Sequence, residues 1–187
     1  MTAKFFPEQL KDPAFHFTKV KPKSKHPIGL DWTNIVYDYK EIIGWFDKDN
    51  NYGILGGWGN LLPIDADTPE IEAIVEKLLP DTFSVKTPKK GKHYYFYCPG
   101  INNKILLKKD GKQYGEIFAK TCQVLGPGSI HPETLTKYEI YNNVPIATIT
   151  KEVLIDVFKD YIFTAPEKHP SSNKDGVVLD IMKVVLI

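Results

Sequence analysis

The chain has 187 residues, of which 42% are hydrophobic and 25% charged, a composition that fits one globular domain with a modest appendage. No apolar stretch approaches the roughly 18 residues needed to cross a membrane, and the N-terminal Met1-Thr2-Ala3-Lys4-Phe5 has no signal-peptide core, so an intracellular, cytoplasmic protein without membrane contact is expected. Cys98 and Cys122 are the only cysteines, too few for a disulfide framework or a four-thiolate site, and no structural zinc is expected.

The net charge of +1 hides an asymmetry of residue type, because all 24 strongly basic residues are lysines and none is arginine. Phosphate contacts therefore fall to ammonium groups, histidines, hydroxyls and backbone amides, not to guanidinium forks. The lysines cluster in "KVKPKSKHP" (Lys19 to Pro27), "KTPKKGKH" (Lys86 to His93) and "KILLKKDGK" (Lys104 to Lys112). Such runs read equally well as solvated loops or as a local phosphate-binding surface.

In chain order, "FTKVKP" predicts a short strand. "DYKEIIGWF" predicts a helix with Asp38 as its cap and Ile42, Ile43 and Phe46 at helical spacing. "YGILGG" and "LLPIDAD" read as two strands joined by a hairpin turn at Trp58-Gly59-Asn60. Thr68-Pro69 supplies a cap and a first-turn proline for a helix with a buried stripe of Ile71, Ile74, Val75, Leu78 and Leu79, ended by Pro80. Strands follow at "TFSVKT", "HYYFYC", "KILLKK", "YGEIFA", "CQVLGP" and "TKYEIY", each set off by turn residues. Lys151 to Tyr161 predicts a helix with Val153, Leu154, Val157, Phe158 and Tyr161 on one face. The expected fold class is α+β, with a mostly antiparallel (mixed) sheet flanked by helices. Residues 1–163 form the expected catalytic domain and the polar 164–176 a linker. Residues 177–187 read as the start of a further helical segment of a longer protein.

Four places carry residues suited to chemistry. Asp65 and Asp67 stand two apart at the end of a strand, where alternate residues share a face. Paired carboxylates suit a hard divalent cation; a bland alternative makes them N-terminal acids of the following helix. His93 opens a strand after a lysine- and glycine-containing turn and is placed to meet phosphate. Glu116, in "YGEIFA", is an acid in an otherwise apolar strand and would complete a carboxylate site; its alternative is an edge charge paired with Lys108. Ser129 and His131, in "GPGSIHPETLTKY", follow a tight turn whose amides, hydroxyl and imidazole suit phosphate oxygens.

Taken in order, these elements resemble the archaeo-eukaryotic primase superfamily, in particular the bifunctional primase/polymerase N-terminal domains of plasmid- and phage-type replication proteins. The matching segments are "KPKSKHPIGLDW", "YGILGGWGN", "LLPIDAD", "GKHYYF", "GEIFA" and "GPGSIHPETLTKY", covering Phe15 to Tyr141. The resemblance implies an RRM-like catalytic core and template-directed nucleotidyl transfer. It implies that Asp65, Asp67 and Glu116 hold two Mg²⁺ or Mn²⁺ ions, and that His93, Ser129 and His131 bind the nucleotide. Since many members place arginine near the triphosphate, Lys92, Lys86 or Lys120 would stand in. Implied partners are dNTPs or NTPs, a single-stranded DNA template with its primer, and a C-terminal helicase or helical domain. The chain departs from the family pattern in having Gly91 where serine is common, Glu116 for the commoner aspartate, and no Cys/His zinc stem. Two rival readings are a glycosyltransferase, which would place a parallel nucleotide-binding half before Asp65, and a single-strand-binding module without catalysis, which leaves the three acids without a role.

Overall fold

The structure is a computed structural model describing residues 4–162. The expected linker, 164–176, and the segment 177–187 lie outside the described residues.

The helices form where local chemistry satisfies their free N–H groups. Helix α1 (Tyr39–Phe46) begins with a reciprocal capping box: the Asp38 carboxylate accepts from Glu41 N at 2.8 Å, and the Glu41 carboxylate accepts from Asp38 N at 3.2 Å. Helix α2 (Pro69–Leu78) is capped by the Thr68 hydroxyl, which accepts from Ile71 N, and Pro69 occupies the first turn, where no N–H is missed. Its stripe is narrower than predicted, since Ile71, Val75 and Leu79 are buried while Leu78 is exposed. Helix α3 (Lys151–Val157) is shorter than the predicted 151–161. Beyond it the chain tightens into i to i−3 bonds, Tyr161 N to Phe158 O among them, that still bury Phe158 and Tyr161.

The strands divide between two sheets. The smaller is antiparallel, in the order β1 (Phe17–Val20), β2 (Asn51–Leu55), β8 (Gln123–Leu125). The larger contains β3 (Leu61–Ala66), β4 (Ser84–Lys86), β5 (Lys92–Tyr97), β6 (Ile105–Lys109), β7 (Lys112–Ile117) and β9 (Glu139–Asn142). Their order is β6-β7-β3-β5-β4-β9, and a short β10 (Ala147–Thr148), not foreseen from sequence, joins β5 in parallel. The fold is therefore the expected α+β class with a mostly antiparallel, mixed sheet. The two strands before Asp65, β1 and β2, are antiparallel, unlike the parallel half that a glycosyltransferase would place there.

The hairpin expected at Trp58-Gly59-Asn60 is not present. Strands β2 and β3 belong to different sheets, and β3 is taken on one side by β5 and on the other by β7. Gly57, Gly59 and Asn60 all have positive φ, and this run of left-handed residues turns the chain out of one sheet and into the other. The crossing is tight. A Cβ on Gly56 would fall 2.4 Å from the Phe118 carbonyl oxygen, and one on Gly57 would strike Lys120, so this passage presses against the one from β7 to β8.

Alternation along β3 assigns the two faces of the larger sheet. Leu62, Ile64 and Ala66 point into a core shared with Ile71 and Val75 of α2 and Leu154 of α3. Leu61 points the other way, into a second core with Phe83, Val85 and Tyr95, covered by Phe17, Tyr52, Ile54 and Leu125 of the smaller sheet and by Ile42 and Phe46 of α1. Asp65 stands on this second face, where apolar packing gives way to polar groups.

Candidate active site

Strand register builds the site. Asp65 lies directly opposite His93 of β5 and opposite Glu116 of β7. Residues directly opposite in a ladder share a face, so one row across three neighbouring strands carries imidazole, carboxylate and carboxylate. His93 Nε2 lies 3.5 Å from Asp65 Oδ1. Asp67 follows the last paired residue of β3, just before the Thr68 cap. The Thr68 hydroxyl also donates to the Tyr114 carbonyl at 3.3 Å, tying the start of α2 to β7. Gly91, at φ +81°, packs against this end of β3: a Cβ there would lie 2.0 Å from the Ala66 carbonyl oxygen. The missing family serine at Gly91 thus follows from steric closure.

The electrostatics of the row are unbalanced. Burial, and then the charges of Asp67 and Glu116, raise the Asp65 carboxyl to about 7, with Lys25 and Lys90 partly opposing the shift. Burial, and then the Lys25 charge, push His93 down to about 3, against the pull of the nearby Leu125 backbone, so its imidazole is neutral at physiological pH. The phenols of Tyr95 and Tyr138 are raised first by burial and next by the Asp65 charge. Among the described residues His93 Nδ1 and Tyr95 Oη are buried without a hydrogen-bond partner.

The loop after β8 forms a second wall. Tyr138 lies between the two histidines, with ring centroids 5.6 Å from His93 and 6.1 Å from His131. His131 Nδ1 accepts from Glu133 N at 3.1 Å and Thr134 N at 3.3 Å, which leaves Nε2 as its N–H donor. Burial, then Lys25, lower the His131 pKa. Ser129 is fully buried, and its hydroxyl accepts from Tyr52 N at 3.3 Å, joining this loop to β2. Asn51, not singled out by the sequence, is the other tie: its Nδ2 donates to the carbonyls of Ser24 and Ile130, and its Oδ1 accepts from Ile130 N.

The three lysines expected near the triphosphate lie elsewhere in this conformation. Lys92 pairs in register with Ala66, on the face opposite His93. There its ammonium meets Glu72 at 2.9 Å and Glu76 at 2.7 Å and lies 4.0 Å from the Tyr141 ring centroid. Burial opposes its charge, but the two glutamates outweigh burial and its pKa is raised. Lys86 is opposite Lys92 and so shares that face. Lys120 sits by Gly57, at the Leu61 end of β3, away from Asp65. Adjacent residues of a strand point to opposite faces, so the dipeptide Lys92-His93 already carried the signal that only one of the pair could join Asp65. Three aromatics of this region are engaged within the fold: Tyr95 is wholly buried, Tyr97 donates to Asp12, and Trp58 stacks on His16.

Asp65, Asp67 and Glu116 offer hard oxygen donors, the class that Mg²⁺ and Mn²⁺ take, and a dication would relieve the repulsion that raises Asp65. Their present rotamers do not close on one point. Glu116 is turned to Lys104 at 2.7 Å and to Gln113 at 2.8 Å, and among the described residues no three acidic, His or Cys side chains surround a common centre. The donor set fits a divalent ion, and Lys104 supplies the local positive charge in this conformation.

The larger sheet thus carries a row of carboxylates beside two imidazoles, at the edge of its second core. Over residues 9–152 the chain matches the family described as bifunctional DNA primase/polymerase, N-terminal, and it belongs to that family. It is thereby placed among primase/polymerase-type nucleotidyltransferases, with DNA template and nucleotides as the implied substrates. No curated protein matches it significantly. Among the described residues no helix is long and apolar enough to cross a membrane.

Proposed function

We propose that this domain adds nucleotides to a primer 3′-hydroxyl under the direction of a DNA template, in the replication of a plasmid- or phage-type element. The observation that carries the reading is the row Asp65–His93–Glu116, with Asp67 beside it: like charges held together on a half-buried surface where, among the described residues, Asp65 has no cationic partner. In the reaction the hydroxyl oxygen bonds to the α-phosphorus. The bond from that phosphorus to the bridging oxygen breaks, its electron pair leaves on pyrophosphate, and the hydroxyl proton passes to water. Asp65, Asp67 and Glu116 would hold two Mg²⁺ or Mn²⁺ ions, which supply Lewis-acid stabilisation of the phosphoryl charge and a lowered pKa for the attacking hydroxyl.

The remaining steps belong to this chain's own groups. His93 and His131, neutral and held by the stack with Tyr138, hydrogen-bond phosphate oxygens without adding to or removing from the site's charge. The covered face behind Asp65 keeps bulk water from competing for the carboxylates. Exposed lysines on the β6–β7 hairpin (Lys108, Lys109 and Lys112) and at the β4–β5 tip (Lys89 and Lys90) attract the template backbone without reading its sequence.

The test is extension of a labelled primer on a DNA template, beside an unprimed template, with Mg²⁺ or Mn²⁺ and with dNTPs or NTPs separately. Metal-dependent extension by the wild type and none by Asp65→Ala/Asp67→Ala is expected. Undiminished synthesis by that double variant would sink the assignment.

A further inference from the structure

With Lys92 paired to two glutamates, Lys86 on the same far face and Lys120 at the other end of β3, the proposed polymerase site needs another cation for the triphosphate. The segment between β1 and α1 supplies one. Lys25 lies in a loop whose main chain is fastened at several points. Gln123 Nε2 donates to the Lys25 carbonyl at 2.9 Å. Asn51 Nδ2 donates to the Ser24 carbonyl at 2.9 Å and to the Ile130 carbonyl at 2.8 Å, while Ile130 N donates back to Asn51 Oδ1 at 2.8 Å. Two residues on, Pro27 bridges to Val20, and Ile28 N donates to the Lys19 carbonyl.

Asn51 is buried, so a single amide holds Ser24-Lys25 beside Ile130-His131. From His131 the contacts run through Tyr138 to His93 and on to Asp65. Among the described residues the Lys25 ammonium is held by no carboxylate. Among the described residues the lysines in ion pairs are Lys4, Lys11, Lys89, Lys92, Lys104 and Lys159. Lys25 is exposed on this fastened loop, next to the Ile130-His131 wall, and its charge reaches His131.

We propose that Lys25 binds the β- and γ-phosphates of the incoming nucleoside triphosphate and stays with the departing pyrophosphate. The inference rests on the polymerase reading and assigns the cation of that same site. Two neutral imidazoles can donate hydrogen bonds but cannot neutralise a polyanion, and a compact ammonium on a fixed main chain does so as a point charge. Because the loop is held through backbone carbonyls, the side chain is free to serve the ligand, and replacing it leaves the wall intact.

The test compares wild type with Lys25→Gln, Lys25→Arg and Lys77→Gln, a lysine exposed on α2. Titration calorimetry with Mn²⁺ reads binding of dATP and of inorganic tripolyphosphate; primer extension reads KM and kcat; thermal melting checks the fold. Lys25→Gln is expected to weaken both ligands about tenfold or more, the loss of one charge-assisted hydrogen bond, with a raised KM and an unchanged Tm. Lys25→Arg should recover most of the affinity, and Lys77→Gln should match wild type. If wild type extends primers and Lys25→Gln binds dATP and tripolyphosphate equally well, the Lys25 assignment falls and the polymerase reading stands. If wild type neither extends a primer nor binds dATP, both fall together.

Discussion

The two faces of the larger sheet treat charge in opposite ways, and adjacent residues of β5 display both. Lys92 turns toward α2, where Glu72, Glu76 and Tyr94 enclose it; Tyr94 Oη donates to the same Glu76 oxygen that Lys92 meets, at 2.8 Å. That face is electrically closed and its polar groups brace the helix against the sheet. One residue on, His93 turns toward Asp65; Glu116 beside it is matched by Lys104, but among the described residues Asp65 has no cationic partner, the charges of Asp67 and Glu116 still raise it, and a buried ring nitrogen of His93 makes no hydrogen bond. Where charge is matched, structure accounts for it; where it stays unmatched at a cost in stability, a ligand is the economical explanation.

The comparison can be broken at four points. The largest effect is expected from Asp65→Ala/Asp67→Ala, which should lower primer extension by at least about a hundredfold to a thousandfold while circular dichroism and melting show an intact fold. A collapse of the fold would instead mean that the open face is structural.

Next comes Asp65→Asn. The folded-state pKa of Asp65, about 7, lies above its unfolded value, so its charge destabilises the fold as pH rises from about 4 through 7 and the penalty is fully present above that. The neutral amide should therefore stabilise the metal-free domain at pH 8, on the order of 3 kcal/mol, and much less at pH 4, as read from melts across pH. Mn²⁺ should raise the Tm of wild type but not that of Asp65→Asn. His93 acts in the opposite sense: its folded pKa, about 3, lies below its unfolded value, so stability is lost as pH falls below about 6.5. The advantage of Asp65→Asn shrinks toward pH 4 in either background, and His93→Gln should flatten the acid limb alone.

A third change restores the family serine. Gly91→Ser should destabilise by about 2 kcal/mol or more, because positive φ and the Ala66 carbonyl leave no room for a Cβ; unchanged stability in denaturant titration would count against this packing. The smallest effect is expected from Lys92→Met. It should cost about 1–2 kcal/mol, lowering the Tm by about 2–6 °C, with KM for dNTP little changed. A raised KM at constant Tm would return Lys92 to the nucleotide.

Much of the fold was legible because its signals are local. Asp38 with Glu41, and Thr68 with Pro69, announce two helices within four residues of chain, and the apolar alternation of "LLPIDA" assigns Asp65 to the face away from Ile64. What was not legible depends on partners distant in sequence. Nothing near Trp58 says that β2 pairs with β8 rather than with β3, since the decision is made by Gln123–Leu125. Asn51 looks like a turn residue until Ile130, far along the chain, arrives at its amide. Among the lysines of "KVKPKSKHP", composition cannot choose Lys25, whereas a carbonyl fastened by Gln123 can. The spacing of Asp65 and Asp67 made them candidates, because same-face geometry in a strand is a local property, whereas the register that sets Glu116 and His93 opposite Asp65 depends on β5 and β7.

The crossing at Gly56-Gly57 gives the molecule a mechanical character. Both passages there between the sheets lie against each other at the Leu61 end of β3, backbone on backbone, while Asp65 and Asp67 sit at the opposite end. The two sheets are thus pinned together at the root, the second core fills the space between them, and the chain crosses again between β8 and β9 by way of His131 and Tyr138. The carboxylates and the Lys25–His131 wall are therefore held at a fixed separation from both ends, a clamp set to one width before any ligand arrives.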